Sequence, residues 1–265
     1  MKKYFFFDID GTLTDLRTGQ FIGSALDTVQ KLQQAGHFTA IATGRACYKT
    51  LPAMEKTGIH NAVANGGAAL IIDDVLVRNS PLVRDKALEI IHEADRLGYG
   101  ILVAYGDSTD VLMRDHRFLE QAGERREPTV YHYEPELLYE DIPDFYKIYI
   151  SVPLEEESCL KNKDLLPHIR MGGPYFWYQH DRKDEGIRDM MKHLKADPKD
   201  AVVFGDGEND EVMFGKEWFS IAMGNSWPAL MEKADYITDS SIDDGIYKAC
   251  VRFGWIEGRK AEEQP

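Results

Sequence analysis

The sequence predicts an α/β fold, in which a doubly wound, Rossmann-like parallel sheet carries an inserted α+β module. Two observations lead to this prediction. Short apolar runs alternate with segments of helical periodicity towards both ends of the 265-residue chain, as in parallel sheets with helices on both faces. The middle of the chain departs from this alternation after the punctuation at Asn79-Ser80-Pro81, which marks an insertion.

The N-terminal alternation rests on segments of clear periodicity. The run Phe5-Phe6-Phe7 predicts a buried strand, and the elements predicted after it are a helix over Ala25–Ala35, a strand over Phe38–Ala42, a helix over Ala46–Lys56 and a strand over Ala62–Ala64. The apolar runs Ala68–Ile72 and Val75–Val77, joined by Asp73-Asp74, predict a hairpin.

The middle segment predicts a separate module of helices against strands. Its predicted elements are a helix over Asp85–Leu97, strands over Gly100–Tyr105 and Lys147–Val152, a helix within Leu154–Ile169 and a strand over Pro174–Gln179. Alternation then returns with a helix over Glu185–Leu194 and a strand over Ala201–Phe204. We therefore expect a core domain formed by residues 1–81 and 180–265, an inserted domain formed by residues 82–179, and a polar, loose tail over 258–265.

Composition limits the classes of partner. The formal charge is −14, with 45 acidic against 31 basic side chains and no basic run, which argues against nucleic acid. The apolar start ends at Asp8 and no run reaches membrane-spanning length, so we expect no membrane partner. Three widely spaced cysteines without a CxxC pattern indicate free thiols and a cytoplasmic protein. The oligomeric state is not encoded in any pattern that we recognise.

The most informative segment is Asp8-Ile9-Asp10-Gly11-Thr12, which directly follows the first strand. Residues i and i+2 of a strand point the same way, so Asp8 and Asp10 are expected to aim at one place. Two carboxylates at one site repel and require a cation or a proton. The segment therefore predicts a chemical site rather than a simple turn.

Four groups of side chains share the residue types of a phosphoryl-transfer site. A carboxylate can attack phosphorus, a hydroxyl and an ammonium can hold phosphoryl oxygens, and clustered aspartates can hold Mg²⁺. The groups are Asp8 with Asp10, Thr43 with Arg45, Lys183 alone, and Asp206 with Asp210.

Each of these residues also has a structural interpretation that the sequence leaves open. Thr43 would serve equally well as the cap of the following helix. Lys183, taken alone, is typical of a solvated charge, and Arg45 suits an ion pair with a carboxylate as well as a substrate contact. Asp206 and Asp210 are ordinary turn residues.

Taken in order, these motifs resemble those of the haloacid dehalogenase-superfamily phosphatases, and in particular the Cof-type hydrolases. The matching segments are Asp8-Ile9-Asp10-Gly11-Thr12, Thr43-Gly44-Arg45, Lys183, Gly205-Asp206-Gly207-Glu208-Asn209-Asp210, and the further landmarks Asn65-Gly66, Ala222-Met223-Gly224-Asn225, Ala234-Asp235 and Asp244-Gly245-Ile246. One departure is Asp184, which stands where this family usually has a glycine after the lysine.

The resemblance implies a set of roles. Asp8 would be the nucleophile that forms a phosphoaspartate, and Asp10 the general acid and base. The implied catalytic residues are Asp8, Asp10, Thr43 and Lys183. The implied substrate-binding residues are Thr43, Gly44, Lys183 and Asn209. The implied Mg²⁺ ligands are Asp8, Asp10 through its backbone carbonyl, Asp206 and, nearby or through water, Asp210.

The resemblance also implies a Mg²⁺-dependent phosphatase of small phosphorylated metabolites, such as sugar phosphates or phosphorylated cofactors. The long stretch between Arg45 and Lys183 would hold an α/β cap that closes over the site. Candidate specificity residues there are Tyr105, Asp107, Arg114 and the run Tyr175-Phe176-Trp177-Tyr178, although core packing also explains the aromatic run. A phosphomutase and a non-catalytic regulator that binds a phosphorylated ligand remain alternatives.

Overall fold

The structure, a computed structural model, describes residues 1–170 and 173–259. It divides into two compact units: the first comprises Met1–Arg78 and the chain from Asp181 onward, and the second comprises Asn79–His180. The tail predicted to be loose lies outside the described residues from position 260 onward.

The strands of the described chain are β1 (Tyr4–Phe7), β2 (Phe38–Ala42), β3 (Ala62–Ala64), β4 (Ala69–Ile72), β5 (Val75–Asn79), β6 (Ile101–Ala104), β7 (Asp110–Met113), β8 (Val130–Tyr133), β9 (Lys147–Ile150), β10 (His168–Ile169), β11 (Phe176–Tyr178), β12 (Ala201–Gly205), β13 (Phe219–Ala222) and β14 (Tyr236–Ile237). The helices are α1 (Gly23–Gln34), α2 (Cys47–Thr57), α3 (Arg84–Arg96), α4 (Arg117–Ala122), α5 (Lys183–His193), α6 (Pro228–Lys233) and α7 (Gly245–Arg252).

The first unit is built on one sheet with the strand order β14-β13-β12-β1-β2-β3-β4-β5. The strands from β14 to β3 pair in parallel, and β4 then runs antiparallel to β3. The predicted α/β fold with a parallel sheet is confirmed. The turn at Asp73-Asp74 that joins β4 to β5 has left-handed backbone at both residues, with φ of 48° and 64°, which is typical of a tight hairpin.

Strand β1 lies at the centre of this sheet and is buried on both faces. Phe5 and Phe7 enter one apolar cluster, with Val29 of α1 and Cys250 of α7. Phe6 enters the cluster on the other face, with Met190 of α5. Since neighbouring strand residues point to opposite faces, the uninterrupted Phe run is the sequence signature of this doubly covered strand.

The second unit has a mainly antiparallel sheet with the strand order β10-β11-β9-β6-β7-β8. Helix α3 packs on one face together with Phe176 and Tyr178. Tyr175 and Trp177 pack on the opposite face with Phe118 of α4. The aromatic run therefore serves core packing on both faces, which is the structural interpretation of that run.

The prediction of a helix within Leu154–Ile169 is wrong. The chain forms short 3₁₀ turns at Leu154–Cys159 and Lys163–Leu165, and the strand β10 follows them. The first turn has no buried residue, so it offers no apolar stripe with which a helix could pack. Helix α4 and strands β7 and β8 lie in the polar middle of the chain and were not predicted, because such short elements carry too few apolar residues to show a period.

Candidate functional site

The candidate residues lie where parallel strands of the first unit end. Asp8 follows β1, Thr43 follows β2 and Asp206 follows β12, and these three strands are neighbours in the sheet. The backbone N–H of Asp8 donates to the carbonyl of Phe204 at 3.0 Å, which fixes the start of the first loop. Ligands of open α/β sheets bind at this carboxyl edge.

Lys183 is the first residue of α5 and is buried, with 1% of its side chain exposed. Its Nζ donates to Asp8 Oδ1 at 2.7 Å and to Asp210 Oδ1 at 2.5 Å. Burial acts to lower the pKa of the ammonium, but the two carboxylates outweigh it and raise the pKa. The interpretation of Lys183 as a solvated charge is therefore wrong.

Small residues let the start of α5 approach the sheet edge. A Cβ added to Gly186 would lie 2.4 Å from Val63 Cγ1 of β3. Gly67, which is in the left-handed region with φ of 96°, would with a Cβ lie 2.0 Å from the Arg182 carbonyl oxygen. Since the backbones touch here, Lys183 enters the site from a fixed position.

Asp210 organises the loop after β12. Its Oδ2 accepts the backbone N–H groups of Asp206 and Gly207, both at 2.9 Å, while its Oδ1 accepts from Lys183. The side chain is fully buried. Both carboxylate oxygens of Asp210 therefore hold protein groups in place.

Asp206 is held by the loop that follows β1. Thr12 Oγ1 donates to Asp206 Oδ1 at 2.7 Å. Gly11 packs directly on the carboxylate: with φ of +88°, a Cβ at this position would lie 2.0 Å from Asp206 Oδ2. Asn225 Nδ2 donates to the Gly11 carbonyl at 2.9 Å and lies 3.5 Å from Asp206 Oδ2, while its Oδ1 accepts the backbone N–H of Ser241 at 2.8 Å.

Thr12 and Asn225 were not among the predicted site residues, although both lie inside the quoted motifs. Their hydrogen bonds to Asp206 and to the Gly11 loop make them part of the site's frame. Both residues lie within segments that match the family's motifs, and this match could have identified them as site residues.

Asp8, Asp206 and Asp210 form a buried acidic cluster, in which one carboxylate oxygen from each lies within 4.8 Å of the others. Burial raises the pKa of Asp8 well above its usual value, and the charge of Asp210 adds to the rise. Burial likewise raises the pKa of Asp206 to about 7, although the hydrogen bond from Thr12 opposes this. When all three carboxylates are ionised, the cluster holds more negative charge than Lys183 neutralises, and its oxygen donors suit a hard divalent cation such as Mg²⁺.

The side chain of Asp10 does not join this cluster. It is 52% exposed and accepts from Arg45 Nε at 2.9 Å and from Arg45 Nη2 at 2.5 Å. The expectation that Asp8 and Asp10 aim at one place is wrong in this conformation, because β1 ends at Phe7 and Ile9–Leu13 forms a wide turn. For Arg45, the structure shows the ion pair with a carboxylate.

The remaining predicted residues lie around the same edge. Thr43 is buried and its Oγ1 accepts the backbone N–H of Arg45 at 3.2 Å. It does not cap α2, whose N-cap residue is Ala46. Gly44 and Asn209 are both half-buried, and Asn209 lies in the 3₁₀ turn Glu208–Met213.

The specificity candidates of the second unit have partners within that unit. Asp107 accepts from Asn79 Nδ2 at 2.6 Å, and Arg114 pairs with Asp95. Tyr105 is 40% exposed and meets the His132 ring edge-on, with centroids 6.4 Å apart. Of these candidates, Tyr105 presents the most open surface to a ligand.

Comparison with known proteins decides the family. The family model of the haloacid dehalogenase-like hydrolases matches residues 5–250. The chain belongs to this family. The predicted family and the prediction of a hydrolase are therefore confirmed.

Relatives of this haloacid dehalogenase-like hydrolase cover nearly its whole length. "Putative phosphatase YkrA" of Bacillus subtilis is 29% identical over 269 residues, covering 96% of this chain and 99% of the relative. The phosphoglycolate phosphatase of Haloarcula marismortui is 28% identical over 255 residues, covering 93% and 95%.

Solved structures show the same fold. A hypothetical protein of Geobacillus kaustophilus superimposes with a TM-score of 0.80 at 28% identity, covering 97% of this chain and 100% of that one. A subclass IIB sugar phosphatase of the superfamily has a TM-score of 0.75 at 21% identity, covering 96% and 100%. In this hydrolase, no described helix has the length and apolar character that a bilayer crossing requires.

Proposed function

We propose that the protein is a Mg²⁺-dependent phosphatase of small phosphorylated metabolites, which works through a phosphoaspartate on Asp8. The observation that carries the proposal is the buried ion pair between Lys183 and Asp8, which lies in one cluster with Asp206 and Asp210. A carboxylate paired with an ammonium at a strand end is poised to meet a phosphoryl group, and the additional acids provide for a cation.

In the first step an oxygen of Asp8 attacks phosphorus, and the bond from phosphorus to the substrate oxygen breaks. Since Asp8 Oδ1 accepts from Lys183, we assign the attack to Oδ2. Asp10 gives its proton to the departing oxygen, which leaves as an alcohol. This role requires Asp10 to exchange its contact with Arg45 for one with the substrate.

In the second step Asp10 takes a proton from water, and the water oxygen attacks phosphorus. The bond from phosphorus to Asp8 breaks, which restores the carboxylate and releases inorganic phosphate. The same side chain therefore serves as acid and then as base. The partly exposed position of Asp10 is compatible with access to both the substrate oxygen and water.

Other residues hold charge and position. We assign phosphoryl contacts to Thr43, Gly44, Lys183 and Asn209. Asp8, Asp206 and the backbone carbonyl of Asp10 would hold the cation, while Asp210, whose oxygens already hold protein groups, supports it indirectly. Bound Mg²⁺ supplies neutralisation of the phosphoryl charge.

The named relatives favour a small phosphomonoester as substrate, since they include phosphoglycolate phosphatases and a sugar phosphatase. We propose that the second unit, Asn79–His180, is the cap that selects the substrate. We also place the protein in the cytoplasm, in keeping with its free cysteines.

A phosphate-release assay on a panel of phosphorylated metabolites tests the proposal. Wild-type protein should release phosphate only with Mg²⁺, and Asp8→Asn should abolish release while the protein stays folded. Asp27→Asn changes an exposed aspartate of α1 and should leave turnover unchanged. A folded Asp8→Asn protein that retains turnover would overturn the proposal, and isomerisation of a sugar phosphate without phosphate release would favour a mutase instead.

A further inference from the structure

The edge strand β5 exposes an unusual apolar segment. Val75, Leu76 and Val77 are 63%, 53% and 52% exposed, although they are consecutive and therefore alternate between the two faces of the sheet. Three neighbouring aliphatic side chains at a sheet edge form a surface that soluble proteins normally cover or interrupt with charge.

The backbone of β5 is also available for pairing. β5 is the last strand of its sheet, and the two-residue turn Asp73-Asp74 joins it to β4 as a hairpin. Hydrogen bonds alternate along an antiparallel pair, and the residues that flank a two-residue turn bond to each other. Leu76 and Arg78 therefore direct their N–H and C=O groups away from β4.

Two of the other three sheet edges in the described chain are protected by their length. β14 and β10 each contain two residues, which is too short to template a partner strand. β5 contains five residues, and its first three carry neither charge nor proline. The remaining edge strand, β8, contains four residues, so β5 is the longest edge strand of the described chain and the one best suited to accept a further strand.

The sequence around β5 is complementary to itself. In Asp74-Val75-Leu76-Val77-Arg78, reversal of direction places Leu76 opposite Leu76, Val75 opposite Val77 and Asp74 opposite Arg78. A shift of the axis to Val77 would instead place Leu76 opposite Arg78. Only the axis at Leu76 combines apolar cross-strand pairs with opposite charges.

We propose that two copies of this chain pair antiparallel through β5, with Leu76 on the twofold axis. This pairing joins the mainly parallel sheets of the two copies into one continuous sheet. Such an interface is isologous and self-complementary. Asp74 already contacts His60 and Arg78 already contacts Asp189, each at 2.6 Å. Because all four side chains are at least 39% exposed, an ion pair between Asp74 of one copy and Arg78 of the other can form in addition to these surface contacts. This inference does not depend on the proposed catalytic function.

The expected dimer is weak. A ladder of five residues buries less area than the roughly 1,600 Å² of a standard stable interface, so dimerisation should depend on protein concentration. Light scattering coupled to size-exclusion chromatography over a concentration series should show the dimer growing with concentration. Leu76→Lys should give monomer throughout, whereas Leu51→Lys, which changes a similarly exposed leucine (51%) on α2, should behave as wild type.

Cysteine cross-linking tests the register, in a background with the exposed Cys159 changed to serine. Opposite residues lie about 5.5 Å apart between Cα atoms in a hydrogen-bonded pair, such as Leu76 with Leu76, and about 4.5 Å apart in a non-hydrogen-bonded pair, such as Val75 with Val77. Both distances are within disulfide reach, whereas residues two positions out of register lie too far apart. Leu76→Cys should form a covalent dimer on oxidation. Val75→Cys and Val77→Cys should each fail alone and cross-link when mixed. A wild-type protein that stays monomeric at every concentration, or a Val75→Cys protein that cross-links as fast as Leu76→Cys, would overturn the proposal.

Discussion

Lys183 Nζ lies 2.7 Å from Asp8 Oδ1, with both side chains buried. The same ammonium contacts Asp210 at 2.5 Å, so one positive charge is shared by two acids, while Asp206 completes a cluster of three. An uneven charge balance of this kind destabilises the fold unless a proton or a further cation, such as Mg²⁺, neutralises the excess charge. We therefore expect stability and metal binding to be coupled at this site.

Removal of the Lys183 ammonium should destabilise the protein and abolish turnover. Lys183→Met leaves the carboxylates of Asp8 and Asp210 buried without their cation, which typically costs about 3–5 kcal/mol. Lys192→Met, on the exposed surface of the same helix α5, should change the free energy of unfolding by less than about 0.5 kcal/mol. Urea unfolding measures both, and equal stability of the two variants would contradict the buried ion pair.

Mg²⁺ binding should weaken as the pH falls through about 7. Burial raises the pKa of Asp206 to about 7 from its usual 3.8, and a protonated carboxylate does not bind the ion. Since the folded-state pKa lies above the unfolded value, the metal-free fold loses stability as the pH rises from about 4 to about 7. The increase in melting temperature caused by Mg²⁺ should therefore be larger at about pH 8 than at about pH 5.

Asp206→Asn provides the control for that measurement. The amide cannot titrate, so the pH dependence of the Mg²⁺-induced shift should be reduced together with the shift itself. A melting temperature that responds equally to Mg²⁺ at both pH values in wild-type protein would count against Asp206 as a ligand.

Gly11→Ala should disable the metal site. Gly11 and Gly19 both have positive φ, of 88° and 68°, so an alanine strains the backbone at either position. A Cβ at Gly11 would also lie 2.0 Å from Asp206 Oδ2, whereas one at Gly19 would have nothing within 4 Å. We expect Gly19→Ala to cost about 1 kcal/mol and to keep Mg²⁺ binding. Gly11→Ala should lose Mg²⁺ binding in calorimetry, and normal binding would refute the close packing.

Asn225 should act on Mg²⁺ affinity through the loop that it holds. Asn225→Asp keeps the oxygen that accepts from Ser241 but loses the donor to the Gly11 carbonyl. Loss of such outer contacts typically lowers metal affinity about 10–100-fold. Titration calorimetry with Mg²⁺ should therefore separate Asn225→Asp from wild type, and an unchanged affinity would show that Thr12 and Gly11 suffice.

The sequence predicted the strands of the first unit well because each combines an apolar run with a clear end. The Phe run of β1 and the strand β2, whose bounds Phe38–Ala42 agree with the prediction, are buried on both faces and leave little ambiguity. The failed helix within Leu154–Ile169 had no apolar stripe. A composition typical of helices was not sufficient by itself for a helix to form in this segment.

Side-chain direction at the site was harder to predict. Strand spacing suggested that Asp8 and Asp10 converge, but the chain leaves the strand after Phe7 and Asp10 turns to Arg45. The path of the turn Ile9–Leu13 depends on backbone angles such as the φ of 88° at Gly11, which residue spacing does not specify. The order of the motifs along the chain did identify Lys183 as a site residue, although no local sequence pattern reveals that its side chain is buried.

The stereochemistry of phosphoryl transfer tests the central proposal most directly. A substrate whose phosphorus is made chiral with oxygen isotopes can be turned over by the wild-type enzyme, with transfer to an alcohol acceptor in place of water so that the product can be analysed. Each in-line displacement inverts phosphorus, so attack by Asp8 followed by attack of the acceptor predicts overall retention. Overall inversion would mean a single direct displacement and would contradict the phosphoaspartate mechanism.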